Sequence, residues 1–336
     1  MGASYGTTLG ATFPTLFPDR VGRMILDGVD SGEDHFSGKY ESFLLGADDV
    51  FKQFFRQCHA AESSECAFWG VSPSAIQNRF ERLLQALRRN PIELPYTKLQ
   101  LDEPILLTER RLREIVYAYA RSGHTEFRNL AVTLAAVEGF EKLSSPIHED
   151  FLKSKIWPWL VPPPCSRCSE QDRAVLRKDF DDMSAGIYFG TSSIRCTDAD
   201  GRFIVSSVEH LKEHVSASSA KSRYVGDWAG VLPAVCRKWP FRPPPSQKFD
   251  GKYGAKSISG ELLILSTTYD ICTPVRNARQ LQEQFSGSHL LLQDAVSHCT
   301  LSVHSEGVSE AIRNFLASGS GPQSDLVCFP DRPPFA

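Results

Sequence analysis

The chain has 336 residues, 41% hydrophobic and 23% charged, with 37 basic and 40 acidic side chains giving a net charge of −3. This is ordinary globular usage, enough to bury the core of one large domain or two small ones. It offers no basic footprint for nucleic acid or an anionic membrane surface, and no apolar run reaches the ~18 residues of a spanning helix.

The first element is chemical as well as structural. Residues 2–6 read Gly-Ala-Ser-Tyr-Gly, the G-x-S-x-G pattern of a nucleophile elbow, in which a serine sits on a strained strand-to-helix turn. The flanking glycines are expected to let the chain fold back without a Cβ clash. Ser4 is then the candidate nucleophile, and the backbone N–H of Tyr5 a candidate oxyanion-hole donor. An elbow ordinarily follows several strands, yet only Met1 precedes this one. The expectation is a serine hydrolase lacking its N-terminal strands, its second oxyanion donor and any leader. A signal peptide upstream would direct the protein to the secretory pathway; without one, the cytoplasm is expected.

Residues Tyr5–Leu16 carry Leu9, Phe13 and Leu16 at near-helical spacing, with Pro14 expected to kink or shorten the helix before Phe17-Pro18. Arg23–Asp27, with Gly28 behind it, reads as a buried parallel strand. From about Asp34 to Lys248 the texture is helical and irregular. Ser72-Pro73 opens a helix with Ile76, Phe80, Leu83, Leu84 and Leu87 on one face, stopped by Asn90-Pro91. Thr108 caps a second, with Leu112, Ile115, Val116 and Tyr119, and a third runs through 130–137. Ile156–Pro164 reads as a rigid apolar connector ending at Cys165, and Pro240–Pro245 as another boundary. Regular order returns with a strand at Glu261–Ser266, a helix at Val275–Phe285, a strand at His289–Gln293 and a helix carrying Val308, Ile312 and Phe315. The fold class is α/β: a partial core over 1–33, a helical cap over 34–248, and a second part of the core over 249–336.

A serine needs a histidine base and a carboxylate to orient it, and on this type of sheet the chain order is Ser, acid, His. Asp270 lies just past the strand 261–266, and His298 after the strand that follows; both stand where loops should carry them. Asp294 and His304 are the weaker substitutes, and Asp27 reads as a structural residue tying loops together. The rival constellation is metallic. Cys165-x-x-Cys168 and His210/His214 are separated by far more than finger spacing, and no second CxxC exists. No metal or cofactor is therefore expected. Of the nine cysteines, Cys58 and Cys66 bracket a short polar loop and Cys328 lies in a Pro-rich tail. The chain has no N-x-[ST] acceptor, which argues against secretion.

With these residues assembled, the chain resembles the tripeptidyl- and prolyl-aminopeptidase-like branch of the α/β hydrolases, with its characteristic TAP-like C-terminal domain. The resemblance rests on Gly2-Ala-Ser-Tyr-Gly-Thr-Thr-Leu-Gly, Phe17-Pro-Asp-Arg-Val-Gly-Arg, Leu26-Asp-Gly-Val, Ile194-Arg-Cys-Thr-Asp, Cys236-Arg-Lys-Trp-Pro, Asp270-Ile-Cys-Thr-Pro and His298-Cys. It implies that Ser4, Asp270 and His298 occupy the triad positions and suggests disulfides Cys58–Cys66, Cys196–Cys236 and Cys299–Cys328. One departure is Ser297, where the family has glycine. The implied activity is hydrolysis of a peptide, amide, ester or thioester bond through an acyl-enzyme, on a peptide or small-molecule substrate. An exopeptidase would need a cap acid for the free amine, and Glu41, Asp48, Asp49 and Glu138 are available. The alternatives are a tailoring hydrolase of fungal-type secondary metabolism and a binding module without catalysis.

Overall fold

The computed structural model describes residues 1–94, 105–141, 190–322 and 326–335. The connector 156–164 and the Cys165/Cys168 pair lie outside them. The principal elements in chain order are β1 (Gly2–Ala3), α1 (Tyr5–Leu16), β2 (Arg23–Asp27), α2 (Gly32–Ser37), α3 (Leu44–Ala60), α4 (Pro73–Arg89), α5 (Glu109–Arg121) and α6 (Gly123–Glu141). They continue with α7 (Val208–Lys221), β3 (Glu261–Tyr269), α8 (Val275–Gln284), β4 (His289–Val296), α9 (Glu306–Ser318) and β5 (Leu326–Cys328). The chain divides into two compact units, one of Met1–Phe54, Ala120–Glu126 and Arg195–Ala336, the other of Phe55–Tyr119 and Phe127–Ile194.

The first unit is built on a parallel sheet in the order β1-β2-β3-β4-β5. Its central strands are apolar on both faces, as burial between helix layers requires. Leu262, Ile264, Leu290 and Leu292 pack on one side with Ala11 of α1, Ala278 and Leu281 of α8, and Phe285 just after it. Leu263, Leu265 and Leu291 pack on the other with Val308 and Phe315 of α9. Gly10 lets α1 close on β2, because a Cβ there would stand 2.3 Å from Leu26 Cδ2. The expected shortening at Pro14 does not occur. Helix α1 runs on to Leu16, and the N–H of Phe17 still reaches the Phe13 carbonyl at 2.8 Å. The three expected strands are joined by two short ones, β1 leading into the elbow and β5 in the tail.

The second unit is helical. Ser72 Oγ accepts from Ala75 N at 3.0 Å and Thr108 Oγ1 from Arg111 N at 3.2 Å, so both expected caps form. The apolar positions read from periodicity in α4 and α5, from Ile76 to Tyr119, are all buried.

Two of the three implied disulfides are present, Cys58–Cys66 and Cys196–Cys236. The third is corrected: Cys299 and Cys328 are both thiols. Cys299 turns inward, its Sγ 3.5 Å from the Asp27 carbonyl. Cys328 is buried in the cluster with Phe315, where Gly307 leaves it room. The two side chains serve different packing surfaces and do not meet. Peptide mapping without reductant should recover the 58–66 and 196–236 cross-links and alkylatable thiols at 299 and 328. A 299–328 linked peptide would overturn the assignment.

Candidate active site

Ser4 occupies the turn between β1 and α1 with φ 54° and ψ −125°, a conformation costly for a residue with a Cβ. Its backbone is held from both sides. Ser4 N donates to Asp27 O at 3.0 Å, while Thr7 N and Thr7 Oγ1 donate to Ser4 O at 2.8 and 2.6 Å. The two motif glycines are not equivalent. A Cβ on Gly2 would lie 2.3 Å from the Gly6 carbonyl oxygen, whereas one on Gly6 would meet nothing within 4 Å. Only the first is demanded by close approach. Tyr5 is the first residue of α1, so its N–H is among the four donors with no partner inside the helix.

Asp270 follows β3 immediately after an irregularity in its pairing with β4 at Thr267/Tyr269. It is 1% exposed and held by donors on three sides. Cys272 N (2.7 Å) and Thr273 N (2.8 Å) donate to Oδ1; Thr273 Oγ1 (2.7 Å) and Cys299 N (3.0 Å) donate to Oδ2. His298 Nδ1 stands 3.0 Å from Oδ2, and His298 Nε2 stands 2.8 Å from Ser4 Oγ. The three side chains expected to act together are thus in hydrogen-bonding sequence: carboxylate, imidazole, hydroxyl. The main chain of His298 is fixed as well, its N–H donating to Arg121 O at 2.6 Å and its carbonyl accepting from Ser302 Oγ at 2.7 Å.

Asp27 takes the structural part expected of it. Fully buried, it accepts from Thr300 N (2.9 Å), Thr300 Oγ1 (3.0 Å) and Leu301 N (3.2 Å), tying the end of β2 to the turn after His298. Burial raises its carboxyl pKa, opposed by those bonds and assisted by the charge of Asp270. Asp27→Ala strands these buried donors, at about 1–3 kcal/mol for each group left unsatisfied. It should lower the melting temperature and loosen His298. Thermal denaturation with single-turnover assays would check this, and an unchanged melting temperature would refute it.

The substitutes lie elsewhere. Asp294 is exposed on β4, and His304 is exposed and paired with Asp331 Oδ2 at 2.6 Å. His210 Nδ1 lies 3.2 Å from Ser206 Oγ, and His214 packs on Phe203. Among the described residues, Asp270, His298 and Cys299 are the one His/Cys/acid group close enough to share an ion. The chemistry does not fit a metal. Asp270 and His298 already bond each other, and both Asp270 oxygens are taken up by the donors of residues 272, 273 and 299. The four acids considered for a substrate amine are all engaged. Glu41 pairs with Lys221 (2.6 Å), Asp48 accepts from Ser222 Oγ (2.6 Å), Asp49 pairs with Lys52 (2.7 Å) and Glu138 with Arg79.

A charged cluster beside the elbow was not anticipated. His35 is buried, with Nε2 2.9 Å from Asp198 Oδ2 and Nδ1 3.4 Å from Asp30 Oδ2. Tyr5 Oη donates to the same Asp198 oxygen at 3.3 Å. Its phenol is raised to about 12, by burial first and then by Asp198. Burial opposes the charge on His35, but the two carboxylates outweigh it and lift the imidazole from 6.5 to about 9. Because the folded value exceeds the unfolded one, the stabilisation is complete below about pH 6.5 and is lost as pH rises through about 9. The melting-temperature advantage of the unmodified chain over His35→Gln should shrink across that window. An advantage constant from pH 6 to 10 would contradict a charged His35.

A parallel sheet between helix layers, with a serine on a strained strand-to-helix turn and an acid and a histidine on loops after later strands, is the arrangement found in α/β hydrolases. Residues 222–328 match the family described as TAP-like protein. Over 345 residues it is 24% identical to the serine protease Hip1 of Mycobacterium tuberculosis, covering 98% of this chain and 57% of that protein. It is 21% identical to the tripeptidyl aminopeptidase of Streptomyces coelicolor, covering 99% and 54%. Carboxylesterase B of M. tuberculosis matches at 25% over 169 residues, covering 47% and 31%. The chain spans about half the length of the first two relatives.

Proposed function

We propose that this protein is a serine hydrolase acting through an acyl-enzyme at Ser4, with peptides as its preferred substrate class. The observation that carries the reading is the continuous Asp270–His298–Ser4 relay at 3.0 and 2.8 Å. His298 Nε2 takes the Ser4 proton as Oγ attacks the scissile carbonyl, and Asp270 holds Nδ1–H and stabilises the imidazolium. The Tyr5 N–H stabilises the oxyanion. His298 then passes the proton to the leaving amine or alcohol, and water, deprotonated by the same imidazole, releases the acyl group. In this reading 1–33 and 249–336 form the catalytic core and 34–248 the cap. The peptide preference is supported by the names serine protease and tripeptidyl aminopeptidase among the relatives. Carboxylesterase B favours ester hydrolysis as the second reading.

A fluorophosphonate probe should label Ser4, and labelling that persists in Ser4→Ala would sink the proposal. Ser4→Ala or His298→Ala should lower kcat by on the order of 10⁶-fold, and Asp270→Asn by on the order of 10⁴-fold. Comparing peptidyl coumarin amides, free and N-acetylated, with nitrophenyl esters separates exopeptidase from esterase. If only esters turn over, the second reading replaces the first.

A further inference from the structure

Three segments of the first unit converge on His35: the first turn of α1, the loop after β2 and the segment 195–202, where a helix ending at Asp198 gives way to a turn. The ring is 3% exposed and lies 5.4 Å from Tyr5, 5.1 Å from Phe36 and 6.1 Å from Tyr40. Both its nitrogens meet carboxylates, and Asp198 Oδ2 serves His35 and the Tyr5 hydroxyl together. The segment 195–202, the last turn of a helix and the turn after it, is anchored at several points. The Cys196–Cys236 bond fixes its start, and Trp239 Nε1 donates to Thr197 Oγ1 at 3.0 Å. Arg202 donates to the carbonyls of Phe36 (2.9 Å), Asp198 (3.0 Å) and Phe249 (2.7 Å), and Tyr40 Oη to that of Arg195 at 2.8 Å.

None of these bonds involves Ser4, His298 or Asp270. Their common product is a fixed phenol on the residue next to the nucleophile. Tyr5 begins its helix, and its N–H shares a peptide plane with the Ser4 carbonyl, which Thr7 N and Oγ1 hold from one side. The clamp on the phenol adds a second restraint at a helix terminus, where turns fray most easily. Clamping the far end of its side chain limits how the peptide plane of that first turn can rotate. An oxyanion donor works only if it is already aimed, because reorienting it during the reaction costs part of the gain.

We propose that Asp198 and His35 are positioning residues of the oxyanion hole: Asp198, oriented by His35, clamps the Tyr5 hydroxyl and so holds the Tyr5 N–H on the developing oxyanion. This rests on the serine-hydrolase reading above. Removing a donor outright costs about 10²–10³-fold in kcat; a donor that is present but loosened should cost about tenfold.

The test uses Tyr5→Phe, Asp198→Asn and their double variant in the full 336-residue chain, with melting temperatures confirming that each is folded. Measured quantities are kcat, KM, the rate of fluorophosphonate labelling, and the affinity of a peptidyl boronate, whose adduct with Ser4 mimics the tetrahedral oxyanion. Each single variant should lower kcat, labelling rate and boronate affinity about tenfold with KM within about twofold. The double variant should be no worse than either single one, since both break one clamp. A merely structural role would lower the melting temperature but leave boronate affinity per folded molecule unchanged. Should Asp198→Asn fail to fold, Tyr5→Phe, which removes a single hydroxyl, decides alone. Values of kcat and boronate affinity within twofold of the unmodified chain overturn the proposal; so does a rise in KM alone, which assigns the carboxylate to substrate binding. If the unmodified chain is not labelled at Ser4 at all, the hydrolase reading fails and takes this proposal with it. If labelling occurs but is indifferent to Tyr5→Phe and Asp198→Asn, only the clamp fails.

Discussion

The pairing of β2 with β3 is the constraint from which the candidate site follows. It sets Arg23 against Glu261 and Asp27 against Leu265, joining two parts of the chain separated by the whole helical stretch. The contact is close at its entrance, where a Cβ on Gly260 would stand 1.7 Å from the Gly22 carbonyl. Once this register is set, β1 hangs from the free side of β2 through Gly2 and Ala3 and delivers Ser4. On the other side, β3 delivers Asp270, and β4 delivers His298. Ser4 and His298 meet although 294 residues apart in sequence. Such a separation is thermodynamically cheap, because closing a loop costs only about 0.6 kcal/mol more for each doubling of its length. What has to be specified is the register, and the apolar strands on both sides supply it.

Two buried carboxylates then divide the work of converting sheet register into site geometry. Asp27 collects the amides of residues 300 and 301; Asp270 collects those of 272, 273 and 299 and also holds His298. The loop carrying the base is therefore gripped just after the histidine by acceptors rooted at the ends of neighbouring strands. This grip also accounts for Cys299 at φ 66°, a left-handed conformation that the surrounding bonds must hold in place. A loop so determined leaves its thiol no freedom to reach the tail. The Cys299–Cys328 bridge implied by family likeness gives way here to local hydrogen bonding.

The parts of this arrangement that the sequence disclosed are those with a local signature. Ser4 announced itself through its glycines, although Gly6 turns out to be free of the crowding that fixes Gly2. Asp270 and His298 were legible because each follows an apolar run long enough to read as a strand. The strands β1 and β5, of two and three residues, are too short for any periodicity. The Asp30–His35–Asp198 cluster was invisible for a different reason: His35 and Asp198 lie 163 residues apart. Ile194-Arg-Cys-Thr-Asp198 drew attention through its cysteine and the family likeness, and nothing in the string says that its aspartate meets the elbow.

Strain at the nucleophile and order around it are two sides of one balance. A non-glycine residue in the conformation of Ser4 costs on the order of 1–3 kcal/mol. The bonds around it, from Ser4 N to Asp27 O and from Thr7 to Ser4 O, are net stabilising by about 1 kcal/mol each. They are comparable with that cost and leave little margin. The Cys196–Cys236 cross-link, closing a separation of 40 residues, adds restraint of another kind, because it limits the unfolded chain as well as steadying the folded helix end that carries Asp198. Strained turn, buried acceptors and disulfide-anchored helix end thus belong to one compact unit. A serine can be held half-buried and poised only where its surroundings have already been made rigid.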